Sequence, residues 1–339
     1  MKAYLSYLTK TKWLQTVVMA LIPTFIFVLV LALRSPDYVP NIFNNPPYDF
    51  GISVIFISIV LIVIVVFRFS SLRNPKEVDL YYALPISRKK LYLVHALFGF
   101  IQLMVVWTSL FFFGFITFLI ISQGYYNVGL ILPLYLIVIF YLTILYSITI
   151  FIFLRANTIF DGIAFILLFH ILFLFISLFL SNGLLHFVMM FDLNPFYALT
   201  KWTMFLLSIS VHRPSEVLTN SFIIALPSLI FNTLLFMSLS IVCFIYNYKT
   251  IEQEKTEKIG QISDGKFGYR LYIPLIIIFA VASAFFIGAI ITWILVGIFI
   301  SAGFIGFFIL RRTAKIKLID FGYVIVPAII GIIIGILIN

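Results

Sequence analysis

Charged side chains are scarce in this chain: Asp, Glu, Lys and Arg make up 10% of its 339 residues, against roughly 25% in a soluble globular protein. Since 63% of the residues are hydrophobic, a water-soluble fold would have to leave large apolar areas facing solvent, and that class is excluded. Cysteine is nearly absent. The single one, Cys243, lies inside an apolar stretch, which removes a disulfide framework and a cysteine metal cluster from consideration. Acidic residues number 12 against 22 basic ones, a net charge of +10. Such an excess can mark a nucleic-acid footprint, but that requires a basic patch on a soluble face; with no soluble domain to carry it, nucleic acid is not an expected partner. The long apolar stretches contain no glutamate, and Asp161 and Asp320 stand at the ends of theirs. Ion-coupled carriers keep ionisable residues within the membrane, so that mechanism is disfavoured. His170 is the one imidazole deep in an apolar stretch and reads as a hydrogen-bonded packing residue. His95 lies at the start of another stretch, and His186 and His212 lie outside them without metal-ligand spacing. No catalytic, metal or cofactor constellation is expected on this chain.

What is present is length of apolar sequence. A membrane span needs about 20 mainly apolar residues, and nine candidates follow one another at 13–33, 50–67, 93–121, 130–154, 159–180, 222–246, 273–291, 294–310 and 321–338. The run 273–310 would be about 57 Å long as one helix, far beyond a hydrocarbon core of about 30 Å, and is expected to be a hairpin turning near 288–293. The basic lead Lys2, Lys10, Lys12 looks like a signal peptide, but its apolar run is too long and no cleavage site follows, so the first span is read as retained. Lysine and arginine concentrate in alternate loops: three in 1–12, six in 68–92, Arg155, five in 247–272 and four in 311–317. Only Arg34, Lys201 and Arg213 fall in the other set. The positive-inside rule then puts the N-terminus in the cytoplasm, and the same count requires the hairpin.

The most informative polar segment lies between the second and third spans, residues 74–91, Asn-Pro-Lys-Glu-Val-Asp-Leu-Tyr-Tyr-Ala-Leu-Pro-Ile-Ser-Arg-Lys-Lys-Leu. Asn74 suits an N-cap, Pro75 the first helical position, and Glu77 and Asp79 the positive end of a helix dipole, while Pro85 disfavours helix at Leu84. A helix of about ten residues is expected, with Val78, Tyr81, Tyr82 and Leu84 forming an apolar and aromatic stripe. Ser87 can cap the next helix; Arg88, Lys89 and Lys90 stand where its dipole disfavours them, and lipid phosphates and the positive-inside rule account for them. Both an amphipathic helix resting on the bilayer and a helix docking on a partner protein satisfy this pattern.

This run resembles the intracellular segment of type-2 ABC exporter permeases of Gram-positive bacteria, in which an acidic residue, an aromatic pair and a Leu-Pro-Ile-Ser-Arg-Lys-Lys turn recur between the second and third spans. Within the family the resemblance points to permeases that export membrane-active peptides such as phenol-soluble modulins. It implies an all-α polytopic fold with a six-span core at 1–246, including an interfacial N-terminal helix at Lys2–Lys12, a coupling loop at 74–92 and a re-entrant outer segment at 181–220 that carries Asn194-Pro195-Phe196-Tyr197. A cytoplasmic linker at 247–272 and three additional spans at 273–339 depart from the six-span pattern. The resemblance further implies that Glu77, Val78, Asp79, Tyr81, Tyr82, Leu84 and Arg88 couple the chain to cytoplasmic ABC ATPase subunits, which carry ATP and Mg. The chain itself would be a transport subunit of the plasma membrane without an ATPase site, paired with a second permease subunit and surrounded by membrane lipids. Its substrate would be amphipathic or hydrophobic, a membrane-active peptide first; a lipid or drug exporter, an immunity protein and a membrane enzyme are the alternatives.

Two further patterns need a reading. The run 260–267, Gly-Gln-Ile-Ser-Asp-Gly-Lys-Phe, nearly fits a phosphate-binding loop, but Phe267 stands at the hydroxyl position and no strand precedes it; it reads as a solvated linker. Ala280, Ala284 and Gly288 recur every four residues, and Gly331 and Gly335 form a Gly-x-x-x-Gly pattern. If these are packing faces, they would dock the last spans onto the core or onto a second subunit.

Overall fold

The computed structural model describes residues 2–33, 48–79, 83–121, 131–180, 202, 216–253, 256–263, 267–286, 289–313, 315 and 318–338, and among them every regular element is helical. The described residues form nine α-helices in order: α1 Lys2–Ala32, α2 Tyr48–Phe69, α3 Arg88–Ile121, α4 Ile131–Leu154, α5 Ile159–Phe179, α6 Glu216–Thr250, α7 Tyr269–Ala284, α8 Ala289–Arg311 and α9 Leu318–Ile338. Seven helices among the described residues are long and apolar enough to cross a membrane; Phe56–Leu72 and Tyr269–Ala284 are shorter apolar helices. The chain is a helical, multi-pass membrane protein.

The side-chain pattern is that of a protein whose solvent is hydrocarbon. Along α5 the buried positions include Asp161, Gly162, Phe165, Ile166 and Phe169, while Ile163, Leu167, Ile171, Leu174 and Leu178 recur at helical spacing on the exposed side. A continuous exposed stripe of large aliphatic residues is unstable against water and neutral against lipid tails.

The described residues fall into two compact units, one made of Met1–Arg68, Tyr82–Ile148 and Pro195–Glu254, the other of Phe69–Tyr81, Thr149–Asn194 and Lys255–Asn339. In the first unit α1 packs along α3 through a polar seam: Tyr4 with His95 at 3.4 Å, Gln102 Nε2 donating to Thr16 Oγ1 at 2.6 Å, and Thr24 with Ser109 at 3.1 Å. The pairs climb both helices together, so α1 and α3 run in the same direction. Within this unit α4 runs opposite to α3, since Thr108 meets Tyr135 and Ala96 meets Tyr146. The segment Lys2–Lys12, expected as an interfacial helix, is continuous with the first span. The two form one helix of 31 residues, on which Leu8 packs against Val94 and Phe98, while the Thr9, Thr11 and Thr16 hydroxyls bond back to carbonyls of the preceding turn.

In the second unit α5 and α7 run in the same direction, with Phe165 against Tyr272 and Phe179 against Phe286. Residues 273–310 form the expected hairpin: α8 returns along α7, placing Gly303 beside Ile277 and Gly306 beside Ile273. The turn comes earlier than 288–293. Phe285 N and Phe286 N bond to Ala282 O and Ser283 O, and Thr292 Oγ1 closes the connection on Ala284 O at 3.0 Å. The Gly-x-x-x-Gly face of α9 packs on α7 and the residue that follows it: a Cβ at Gly331 would lie 2.7 Å from the Ile278 carbonyl oxygen, and one at Gly335 would run into the Phe285 ring. This close approach of backbones is what the pattern allows, and it joins helices inside one unit.

Candidate functional site

Four inter-helix segments of the second unit meet through buried polar side chains. The first follows α2. A short 3-10 turn, Ser70–Leu72, leads to Arg73, which is 4% exposed and donates from its guanidinium to the carbonyl oxygen of Leu154, the last residue of α4. Asn74 then organises the turn: its Oδ1 accepts from Lys76 N at 3.1 Å, its Nδ2 donates to Glu77 Oε1 at 3.0 Å, and its carbonyl accepts from Val78 N at 3.0 Å.

The second segment joins α4 to α5. Arg155 N and Ala156 N bond to Ile152 O and Phe153 O, tightening the end of α4, and Thr158 caps α5 by accepting from Asp161 N at 3.1 Å, the arrangement that Ser or Thr followed three residues later by an acid produces. The third precedes α7. Gly260, at φ +88°, lies against Pro75, whose ring would stand 3.2 Å from an added Cβ, so both backbone conformation and space demand glycine. Gly260 N donates to Asn157 O at 2.9 Å, Asn157 N to Ser263 Oγ at 2.7 Å and Asn157 Nδ2 to Ile262 O at 3.3 Å. Ser263 in turn donates from N at 3.1 Å and from Oγ at 2.5 Å to one oxygen of Asp161, Oδ2.

The fourth segment follows α8. Arg312 N bonds to Ile309 O and Thr313 N to Phe308 O, the pairing of a Schellman end, which sets the residue between them left-handed and usually selects glycine. Here that residue is Arg312, at φ 55°. A left-handed non-glycine residue costs roughly 1–2 kcal/mol. Its guanidinium reaches Thr158 Oγ1 at 3.3 Å and Asp161 Oδ1 at 3.7 Å. Beside it Arg311 pairs with Asp320 of α9 at 2.5 Å. Asp161 and Asp320 are 1% and 2% exposed; a carboxyl group at such depth needs polar partners, and Asp161 has Ser263 and Arg312 beside it while Asp320 has Arg311. Chemically the arrangement is a tether. Among the described residues no group of three or more His, Cys, Asp or Glu could hold a metal ion.

Of the coupling residues read from the sequence, Tyr81 and Tyr82 lie outside the described residues. Glu77 and Asp79 are exposed, Leu84 and Arg88 are half-buried, and Val78 packs inward, 3% exposed. Residues 75–77 form a hydrogen-bonded turn, and helix begins at Val78. α3 begins at Arg88, directly after Ser87, as the capping pattern requires. Lys89 is held by Glu252 at 2.7 Å and lies over the Tyr248 ring, a partner at the end of α6 that spacing along the chain does not reveal. The run resembling a phosphate loop has its Ser263 amide and hydroxyl filled by Asp161. Asp161, Asn157, Ser263 and Arg312 went unrecognised as a group; the one local signal was Thr158 followed by Asp161. The chain matches no family model, no curated protein and no solved structure.

Proposed function

We propose that the chain is the permease subunit of an ATP-driven exporter of the type-2 ABC class, with its N-terminus in the cytoplasm and all nine helices crossing the plasma membrane. Cytoplasmic ATPase subunits drive it through the segment 74–92, and a second permease chain or a second copy completes the path. The observation that carries this reading is the mounting of the acidic turn Asn74–Asp79: its exposed carboxylates Glu77 and Asp79 project from a turn anchored by buried Arg73 to the end of α4. A segment that receives force from a partner has to be tied to helix ends, and this one is. Interior surfaces of Phe, Ile, Leu and Tyr suit an amphipathic peptide better than a sugar or an ion, which need polar lining. An apolar groove of about 520 Å³ on α3, bordered by Phe100, Met104 and Phe112, favours a second reading, a lipid or drug exporter of the same architecture.

The test is the amount of ATPase recovered with the permease from its native membrane. Buried aromatic anchors commonly cost 2 kcal/mol or more on truncation, and 1.4 kcal/mol is tenfold. Tyr81→Ala with Tyr82→Ala is therefore expected to reduce recovery by more than about tenfold, with protein level and monodispersity unchanged. Wild-type recovery from a well-folded double variant removes the coupling role from this segment.

A further inference from the structure

The geometry points to Asp161 as a positioning residue that joins segment 256–263 and the end of α8 to the start of α5, so that these parts move as one body with the turn at Arg73–Asp79. This inference stands apart from the exporter reading, since it concerns which parts of the chain are mechanically joined.

Three observations carry it. First, the two oxygens of Asp161 are divided: Oδ2 takes both donors of Ser263, while Oδ1 faces Arg312. One side chain thus serves two segments that are separated from it by 102 and about 150 positions in the chain. Second, Arg312 holds a left-handed backbone where glycine would be relaxed, and non-glycine residues persist in that region where surrounding contacts over-determine them. Beside the backbone bonds of the helix end, the contacts at this residue are its reach to Thr158 and Asp161. Third, the same α4–α5 connection receives Gly260 N at Asn157 O and Arg73 at Leu154 O, so the turn after α2 and the segment before α7 are seated on one support. Removing Asp161 from this set leaves Ser263 and Arg312 with no shared partner.

Hydrogen–deuterium exchange on the full chain in detergent tests the joint, because amide protection reports local opening segment by segment. The informative variant is Arg312→Gly. Glycine is the relaxed residue at this φ, so the helix end keeps its shape and only the side chain is lost. Exchange through 256–263 is expected to quicken by about tenfold or more in this variant, although no residue of that segment has been changed. Ser263→Ala is expected to quicken exchange at 311–313 in return. Asp161→Asn loosens both, and adding Arg312→Gly to it loosens 256–263 no further, the non-additivity that residues sharing one partner show. Exchange in Arg312→Gly that changes only around residue 312, or not at all, overturns the proposal, as does full additivity in the double variant. Each of these readouts is taken without an ATPase or a substrate, so failure of the exporter reading leaves them interpretable.

Discussion

Ser263 illustrates how position alone misleads about a residue. It stands in a polar, glycine-containing linker with lysine nearby, and such residues are ordinarily open to solvent. In the fold it is 1% exposed, with its amide and hydroxyl both committed to Asp161. Its neighbour Gln261 is exposed, with its side chain donating to the carbonyl of Glu257 at 3.0 Å. In a Cys243→Ala background of purified protein, a thiol reagent is therefore expected to label Gln261→Cys at least about tenfold faster than Ser263→Cys, because reactivity follows thiolate exposure. Equal labelling rates would mean that the Asp161 tether is open much of the time. Arg312 makes the complementary point. Nothing in its local sequence announces a left-handed residue, since glycine is the usual mark of that conformation; the Schellman bonds of Arg312 N and Thr313 N close the helix end there, and the guanidinium reaches Thr158 and Asp161.

At the level of elements, the small residues of α9 are unequal. Gly331 and Gly335 stand against α7 with no room for a side chain, whereas an added Cβ at Gly322 meets nothing within 4 Å, and the same holds for Gly297 on α8. Gly331→Ala drives a methyl group toward the Ile278 carbonyl oxygen, a backbone atom that cannot rotate away. It is expected to destabilise by roughly 1–3 kcal/mol, the cost of overpacking a tight contact. Gly297→Ala, inside α8, and Gly322→Ala, near the start of α9, remove backbone freedom from a helix and are expected to be neutral or stabilising by about 0.5–1 kcal/mol. Thermal unfolding in detergent of the three single variants checks the order; a Gly331→Ala protein as stable as the other two would mean that α7 and α9 do not approach as described. The Gly-x-x-x-Gly pattern was legible in the sequence, but its destination was not. Close packing is a property of two helices, and one helix carries only half of the information.

At the scale of the molecule, the polar contacts gather the connections α2–α3, α4–α5, α6–α7 and α8–α9 at one end of the second unit. These are the connections in which lysine and arginine concentrate. Charge count and tertiary contact are independent observations, and they select the same set of loops. The expected orientation puts that set in the cytoplasm. In intact cells, after Cys243→Ala, an impermeant thiol reagent is expected to leave Gln261→Cys unlabelled until the membrane is opened and to label Ser215→Cys at once. Ser263 is useless as a reporter here, since its burial blocks labelling from either side. Labelling of Gln261→Cys in intact cells would reverse the orientation and take the acidic turn at Asn74–Asp79 away from any cytoplasmic ATPase.

Composition and periodicity by themselves determined that the chain is helical and membrane-embedded, which stretches carry its helices, and that 273–310 folds back on itself, but not all helix ends: α1 begins at Lys2, where the span is expected from 13, and α7 ends at Ala284, where it is expected to reach 291. These properties follow from transfer of apolar side chains into hydrocarbon and from the length needed to cross it, both of which are sums over local sequence. Only the tertiary structure decided that the α9 glycines face α7, that Val78 packs inward, that Lys89 pairs with Glu252 and that Asp161 holds Ser263 and Arg312 together. Each of those is a contact between residues far apart in the chain. A buried carboxylate in particular has to be compensated by some donor, and the requirement can be read at Asp161, but which donors meet it depends on which loops the helices bring to the same end.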